Sequence, residues 1–356
     1  MKIKPFVAAM AVVLMPVTGW AQAPGDLGQR LAEDYVRPAV ARLAQQSIQL
    51  EQVLTTWCDS ERQSDARPVQ RAFADTVLAW AGVEFLRFGP LVENNRYEKL
   101  AFWPDTRGVM PRQVRALLAK ADPAVLAPDT LAARSVATQG LPALEYVLHD
   151  SPGLLSAGSG EKSVYACHYA IAVASNVARV SGELQQAWSA EGEFGRQFTT
   201  PVAENDLYRS QQEVAAEAVK ALSTGLQFAR DIKLLPVLGD APQSARASRA
   251  AFWRSGLTLP SLAASLKGMR AFYDAGHYHD GDGNEWITSA LTGELVRATQ
   301  PLVTVDQPLQ SVLADPAGWQ RLVLVGLILK NTKDIVDQNF APALGVNIGF
   351  NALDGD

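Results

Sequence analysis

Glu145 and His149 lie four residues apart in a segment whose composition predicts a helix. At that spacing both side chains share one helix face, so they could ligate one metal ion or share a proton. Gly140 and Pro142 precede them and predict a break, with a new helix starting at Pro142 and Glu145 within its first turn, where the helix dipole favours a carboxylate. The alternative is a solvated or ion-paired Glu145 beside an unrelated surface His149, since two residues alone do not define a metal site.

A second carboxylate, Glu84, follows Trp80 by four residues on the apolar face of its predicted helix. A carboxylate among apolar side chains is costly unless it is paired. The sequence leaves two interpretations open: Glu84 belongs to a functional site, or it belongs to a structural buried ion pair.

Arg254 is the last residue of a helical pattern over residues 245–254, and Ser255 follows it. An arginine near a helix end could clamp a carboxylate through two parallel hydrogen bonds. The alternative is a structural arginine that binds helix-end carbonyls or Glu side chains.

The elements that must position these residues are helices, because helix-forming residues dominate and alternation of period two is scarce. The clearest helix is predicted from Arg67 to Phe88, with Pro68 in its first turn and Gly89-Pro90 ending it. The other helical patterns cover residues 27–53, 131–148, 163–188, 205–235, 245–254, 262–273, 286–299 and 319–340. The predicted fold class is therefore all-α.

A polar stretch over residues 192–205 suggests a domain boundary. It predicts an N-terminal domain over residues 24–195 and a C-terminal domain over residues 205–356. Each holds about four helices, the number that makes a bundle. A weak similarity between residues 67–89 and 246–268 is consistent with a duplication.

Composition excludes several classes of protein. The 356 residues are 48% hydrophobic and carry a formal net charge of -5, so a packed core is expected and a disordered chain is not. The mild acidity, with a pI near 5.5, argues against nucleic acid as a partner. The sequence holds no dinucleotide-binding fingerprint, phosphate-binding glycine loop or His-Glu-x-x-His motif.

The N-terminus predicts export. Lys2 and Lys4 precede an apolar stretch and a small-residue cleavage site, which is the layout of a secretory signal peptide over residues 1–21, with cleavage after Ala21 or after Ala23. No later segment predicts a transmembrane helix. In an oxidising compartment the two cysteines, Cys58 and Cys167, are expected to form a disulfide; two free, buried thiols are the alternative.

Several short motifs, in this order along the chain, resemble the imelysin family, and more narrowly its imelysin-like envelope proteins. They are Phe88-Gly89-Pro90-Leu91, Phe102-Trp103-Pro104-Asp105, Gly140-Leu141-Pro142-Ala143-Leu144-Glu145-Tyr146, Arg254-Ser255-Gly256-Leu257 and Gly349-Phe350-Asn351-Ala352-Leu353-Asp354-Gly355-Asp356. The resemblance implies an all-α fold of two helical-bundle domains, related by duplication. It also implies a location in the periplasm or cell envelope.

The family's peptidase and iron-uptake proposals depend on a Gly-x-His-x-x-Glu motif. Gly140 and Glu145 match it here, but Pro142 stands at the histidine position and offers no metal ligand. We therefore expect a non-catalytic binding protein associated with iron or another divalent metal, with an envelope transporter component as a candidate partner. The expected inter-domain site consists of Glu145, Glu84, Arg254, Ser255, Trp103 and Asp105, with Glu145 and His149 as candidate metal ligands. The alternative is a metal-dependent peptidase with an altered ligand set.

Overall fold

The computed structural model describes residues 23–60, 65–150, 153–156, 161–279, 282–304 and 307–347. Across these ranges the chain forms helices and connecting turns, without a β-strand. The all-α prediction is confirmed. The signal peptide and the Gly349–Asp356 motif lie outside the described residues.

The first half of the chain is built around three long helices. α2 and α8 pack along each other, and α3 packs against α2. Pro68 lies in the first turn of α3, as predicted, and Val69, Phe73, Val77 and Trp80 form its buried face. The helices of this half are α1 Leu27–Arg30, α2 Arg37–Asp59, α3 Arg67–Val83, α4 Arg96–Leu100, α5 Val109–Lys120, α6 Pro128–Ala132, α7 Leu141–His149, α8 Glu161–Trp188 and α9 Glu193–Thr199.

The second half is organised by four long helices, of which α13 packs against both α12 and α15, while α10 lies against α15. The helices of this half are α10 Gln211–Gln227, α11 Leu235–Leu238, α12 Thr258–Gly276, α13 Glu285–Val303, α14 Leu309–Ala314, α15 Pro316–Ile335 and α16 Ala341–Ala343.

Three of the predicted helices differ in the structure, of which the one predicted from Arg67 to Phe88 ends early, at Val83. Residues 245–254 form a short 3₁₀ turn at Ala247–Arg249 followed by further turns, so the predicted α-helix is wrong there. The pattern over residues 131–148 is broken: α6 ends at Ala132 and α7 begins at Leu141. Gly140 has φ +85°, a left-handed conformation that stops any helix from continuing through it.

Three π-helical segments interrupt long helices, at Leu31–Val36, Phe228–Leu234 and Val336–Phe340. Such segments shift the faces that a helix presents and occur often at functional sites. The segment Phe228–Leu234 carries Ile232 and Lys233, two residues that matter for the site described below.

The two halves are in close contact where α3 packs against α12. Within the first half, the Tyr35 hydroxyl donates a hydrogen bond to the carbonyl of Gly82 in α3 (2.6 Å). A Cβ atom at Gly268 would lie 2.5 Å from the same carbonyl oxygen, so only glycine permits this approach of the two helices. The buried apolar side chains of both halves form one continuous core. The division into domains at residues 195–205 and the duplication stay predictions.

A disulfide between Cys58 and Cys167 joins the end of α2 to α8, with a Cα–Cα distance of 5.9 Å. The predicted pairing is confirmed. The bond spans 109 residues of sequence, a separation for which the chain-entropy model gives a stabilisation of about 5 kcal/mol.

Candidate functional site

An open cavity of about 550 Å³ lies between a loop of the first half and a turn-rich segment of the second half. We call it the Trp–Arg pocket. Its lining comes from residues 103–111 on one side and from residues 232–254 on the other, and it combines apolar, aromatic and cationic groups: Trp103, Pro104, Asp105, Thr106, Gly108, Met110, Pro111, Ile232, Pro236, Ser248, Arg249, Trp253 and Arg254. Three of the predicted site residues, Trp103, Asp105 and Arg254, therefore lie on one pocket.

Asp105 holds the pocket loop in place. Its two carboxylate oxygens accept hydrogen bonds from the backbone N–H groups of Val109 and Met110, both at 2.8 Å. These are among the N–H groups that have no partner within the first turn of α5. The carboxylate charge is therefore engaged with the helix N-terminus, and the loop presents Trp103 to the cavity.

Arg254 is, with Arg249, one of two cationic residues in the wall of the pocket. Its Nε donates a hydrogen bond to Asp150 Oδ1 (2.9 Å), and its side chain is 16% exposed. The guanidinium lies 4.6 Å from the ring centre of Trp253 and 5.1 Å from that of Tyr146, within the range of cation–π attraction. Neither terminal nitrogen donates a hydrogen bond to any described residue, so both are available to a ligand in the pocket.

Glu145 lies behind this wall and is 2% exposed. Its Oε1 accepts a hydrogen bond from the Ser255 backbone N–H (2.9 Å) and another from the Ser255 hydroxyl (2.8 Å). Burial raises the pKa of the Glu145 carboxyl, while the bonds from Ser255, the charge of Arg254 and the Arg254 backbone N–H act in the opposite direction. Glu145 is the fifth residue of α7, because the helix begins at Leu141, so its predicted place in the first turn is wrong.

The turn that carries Arg254 and Ser255 has an unusual backbone. Phe252 has φ +56°, a left-handed conformation that is rare for a bulky side chain. Hydrogen bonds close the turn from Leu257 N–H to the Phe252 carbonyl (2.9 Å) and from the Thr258 hydroxyl to the Ala251 carbonyl (2.7 Å). This conformation explains why the predicted helix does not reach Arg254.

Glu84 does not line the Trp–Arg pocket. It is buried and forms an ion pair with Lys233, which is also buried. Lys233 belongs to the π-helical segment and follows Ile232, a residue of the pocket wall. The structure therefore places Glu84 in a buried ion pair adjoining the pocket, which is one of the two interpretations left open by the sequence.

His149 ends α7, and its ring centre lies 5.5 Å from that of Phe73. Burial lowers the pKa of His149 to about 4, so its imidazole is neutral at pH 7. Its Nε2 atom is buried and has no hydrogen-bond partner among the described residues. Glu145, on the same helix, is directed to Ser255 instead.

The residues present do not fit a directly coordinated metal ion. Pro142 supplies no ligand, and the Glu145 carboxylate already accepts hydrogen bonds from Ser255. Within the described ranges no group of three or more His, Cys, Asp or Glu side chains is arranged to hold a metal, whereas protein metal sites need three or four such ligands. Metal ligation by Glu145 and His149 stays a prediction, and no described residue supplies the third ligand that it needs.

Among the pocket residues that sequence reasoning missed are Trp253 and Arg249. Trp253 could have been found, because a tryptophan adjoins the candidate arginine. Arg249 gave no local sign, because it reaches the pocket only through the packing of residues 247–254 on α11, where its side chain donates to the Pro236 carbonyl (3.2 Å).

The fold is all-α, with two groups of long helices and an open cavity between a loop of the first half and a turn-rich segment of the second half. The family model described as Imelysin matches residues 36–317 of the sequence. The chain belongs to the imelysin family. None of the curated proteins matches the sequence.

Two solved structures share the fold. An imelysin-like protein from Psychrobacter arcticum superposes with a TM-score of 0.73 at 20% identity, covering 93% of this chain and 99% of that one. A putative iron-regulated protein A precursor from Parabacteroides distasonis superposes with a TM-score of 0.70 at 11% identity, covering 89% of this chain and 96% of that one. At these identities the likeness concerns the fold alone. In the described part of this chain, the helices are too short or too polar to cross a membrane.

Proposed function

We propose that this chain is an exported, non-catalytic binding protein of the periplasm or cell envelope, associated with iron or other metal acquisition. Its ligand is an organic anion, which carries the metal as a chelate and binds in the Trp–Arg pocket near Glu145. The observation that carries the proposal is the Arg254 guanidinium at the pocket wall, whose terminal nitrogens have no partner among the described residues.

The chemistry of the lining supports an organic anion. Arg254 and Arg249 supply positive charge, while the negative charge of Asp105 is engaged by backbone N–H groups. The planar guanidinium matches a carboxylate through two parallel hydrogen bonds. Trp103, Trp253 and the prolines of the lining offer flat apolar surface, which favours a ligand that also carries an apolar or planar part.

An association with iron is supported by one structural neighbour, described as a putative iron-regulated protein A precursor. Because the described residues supply no three-ligand cluster, the iron reaches this pocket already chelated. Carboxylate chelates of ferric iron are anionic at neutral pH, and the cationic wall is complementary to them. That neighbour's designation as a precursor also supports export, in agreement with the predicted signal peptide.

Isothermal titration calorimetry of the mature chain tests the proposal. The ligands are ferric citrate, citrate and naphthalene-2-carboxylate, with the neutral naphthalene-2-carboxamide as control. We expect at least one anion to bind and the amide not to bind. Arg254→Ala should weaken anion binding by about 10–100-fold, the value of a charge-assisted pair. Arg321→Ala, which removes the same charge from an exposed part of α15, should leave the affinity unchanged.

Two results would contradict the proposal. The first is that the wild-type chain binds none of the anions. The second is stoichiometric metal in the purified protein, measured by plasma mass spectrometry, together with proteolysis that a chelator abolishes; that result would support the peptidase alternative. Export has its own test: intact mass of the secreted protein should show an N-terminus at Gln22, after cleavage following Ala21.

A further inference from the structure

We infer that Glu145 is a positioning residue, which holds the turn around Arg254 in its pocket-facing conformation and touches neither ligand nor metal. This inference rests on the proposed function, since it assigns Arg254 to ligand binding. It replaces the metal-ligand role that the spacing of Glu145 and His149 suggested.

The first step of the argument is the environment of the carboxylate. Glu145 is almost completely buried, and Oε1 accepts two hydrogen bonds from Ser255, at 2.9 and 2.8 Å. The Arg254 backbone N–H lies close enough to lower the pKa of this carboxyl group. Glu145 is not part of the pocket lining. Both of these bonds from Ser255 come from the turn, one from its backbone and one from its side chain.

The second step is the conformation that these bonds maintain. The left-handed Phe252 costs about 1–3 kcal/mol and persists only if surrounding contacts impose it. Trp253 and Arg254 then face the pocket, while Ser255 faces Glu145. In Glu145→Gln a neutral amide oxygen replaces the carboxylate as acceptor, and in Ser255→Ala the hydroxyl bond is lost, so the contacts that hold the turn weaken and it relaxes towards a less strained conformation.

The third step is that α7 holds the same turn at two points. Glu145 holds the backbone, and Asp150, the C-cap residue that follows α7, accepts from Arg254 Nε at 2.9 Å. Tyr146 lies 5.1 Å from the guanidinium between these two contacts. One rigid helix thus sets both the path of the turn and the direction of the guanidinium, which is the arrangement that pre-organises a binding site.

A double-mutant cycle tests whether Glu145 acts through Arg254. In the wild-type background, Glu145→Gln should weaken binding of naphthalene-2-carboxylate about tenfold, and Ser255→Ala, which keeps the backbone bond, about threefold. In the Arg254→Ala background, the same two changes should each alter the affinity by less than about twofold. Addition of EDTA should change none of these affinities. Thermal unfolding of each variant, followed by circular dichroism, establishes that the compared proteins are folded.

Equal losses in both backgrounds would overturn the inference, because Glu145 would then contribute independently of Arg254. A loss of binding on chelation that disappears in Glu145→Gln would also overturn it, since Glu145 would then be a metal ligand. If Glu145→Gln does not fold, the milder Ser255→Ala carries the same cycle.

A second measurement needs no ligand, so it separates this inference from the proposed function. The protein is labelled with 5-fluorotryptophan, and the Trp253 fluorine resonance is assigned with Trp253→Phe. Glu145→Gln and Ser255→Ala should shift or broaden that resonance, whereas Arg321→Ala should not. A shifted resonance in a protein that binds no anion would refute the proposed function but support the positioning role of Glu145. An unchanged resonance would refute that positioning role, whatever the protein binds.

Discussion

Replacing Glu84 with glutamine would leave the Lys233 ammonium in a buried site without its counter-charge. The two side chains are only 4% and 8% exposed, so water cannot take the place of the lost carboxylate. Breaking such a pair by removing one partner costs about 3–5 kcal/mol. For 356 residues the entropy of unfolding is about 0.7 kcal/mol/K, so this loss lowers Tm by about 4–7 °C.

The assay is thermal unfolding followed by circular dichroism, with two comparison variants. Glu93→Gln removes an exposed partner of Arg96 (54% exposed), and it should cost at most about 1 kcal/mol. The double variant Glu84→Leu/Lys233→Met removes both charges, and it should be close to the wild type in stability or above it. The recovery of Tm in the double variant distinguishes a buried ion pair from an exposed one, because only a buried pair has a large desolvation cost to remove.

Equal Tm values for Glu84→Gln and Glu93→Gln would refute this reasoning. If Glu84→Gln also abolished anion binding while Tm stayed constant, Glu84 would be a functional carboxylate, which is the alternative that the sequence left open. Binding in the double variant would then be lost as well.

Three further predictions concern stability. Replacing Cys58 and Cys167 together by serine should lower the free energy of unfolding by about 5 kcal/mol in denaturant titrations, and the reduced wild type should show the same loss. Burial lowers the pKa of His149 to about 4 in the folded state, against an ordinary value near 6.5. The free energy of unfolding should therefore fall as the pH drops from 6.5 towards 4, and it should fall less steeply in His149→Phe. Identical pH profiles of the two proteins would contradict the burial of a neutral His149. Gly140→Ala should destabilise by at least about 2 kcal/mol, since φ is +85° and the added Cβ would lie 2.5 Å from the Lys99 carbonyl oxygen; an unchanged Tm would contradict this.

Much of the fold could be predicted from local patterns. The apolar face of α3 and its start at Pro68 depend on residues three or four positions apart, and such neighbours meet on any helix. The disulfide could be predicted because the sequence predicts export and two cysteines offer one intramolecular pairing. Of the residues singled out by the motifs, Arg254 lines the Trp–Arg pocket and Glu145 lies behind it.

The predicted helix over residues 245–254 failed for a reason outside that segment. Its composition favours a helix, but the Ser255 backbone and hydroxyl donate to Glu145, and the Thr258 hydroxyl donates to Ala251. These contacts, together with the left-handed Phe252, outweigh the small differences in helix propensity between residues. Local periodicity carries no information about such partners.

The sequence by itself determined the helices and their buried faces, because those depend on spacings of a few residues. Only the tertiary structure decided what each charged group does. Glu145 meets Ser255 across 110 residues, Arg254 meets Asp150 across 104, and Glu84 meets Lys233 across 149. The physical reason is that a buried charge must find a partner wherever the packed helices place one, and that placement follows from the core as a whole.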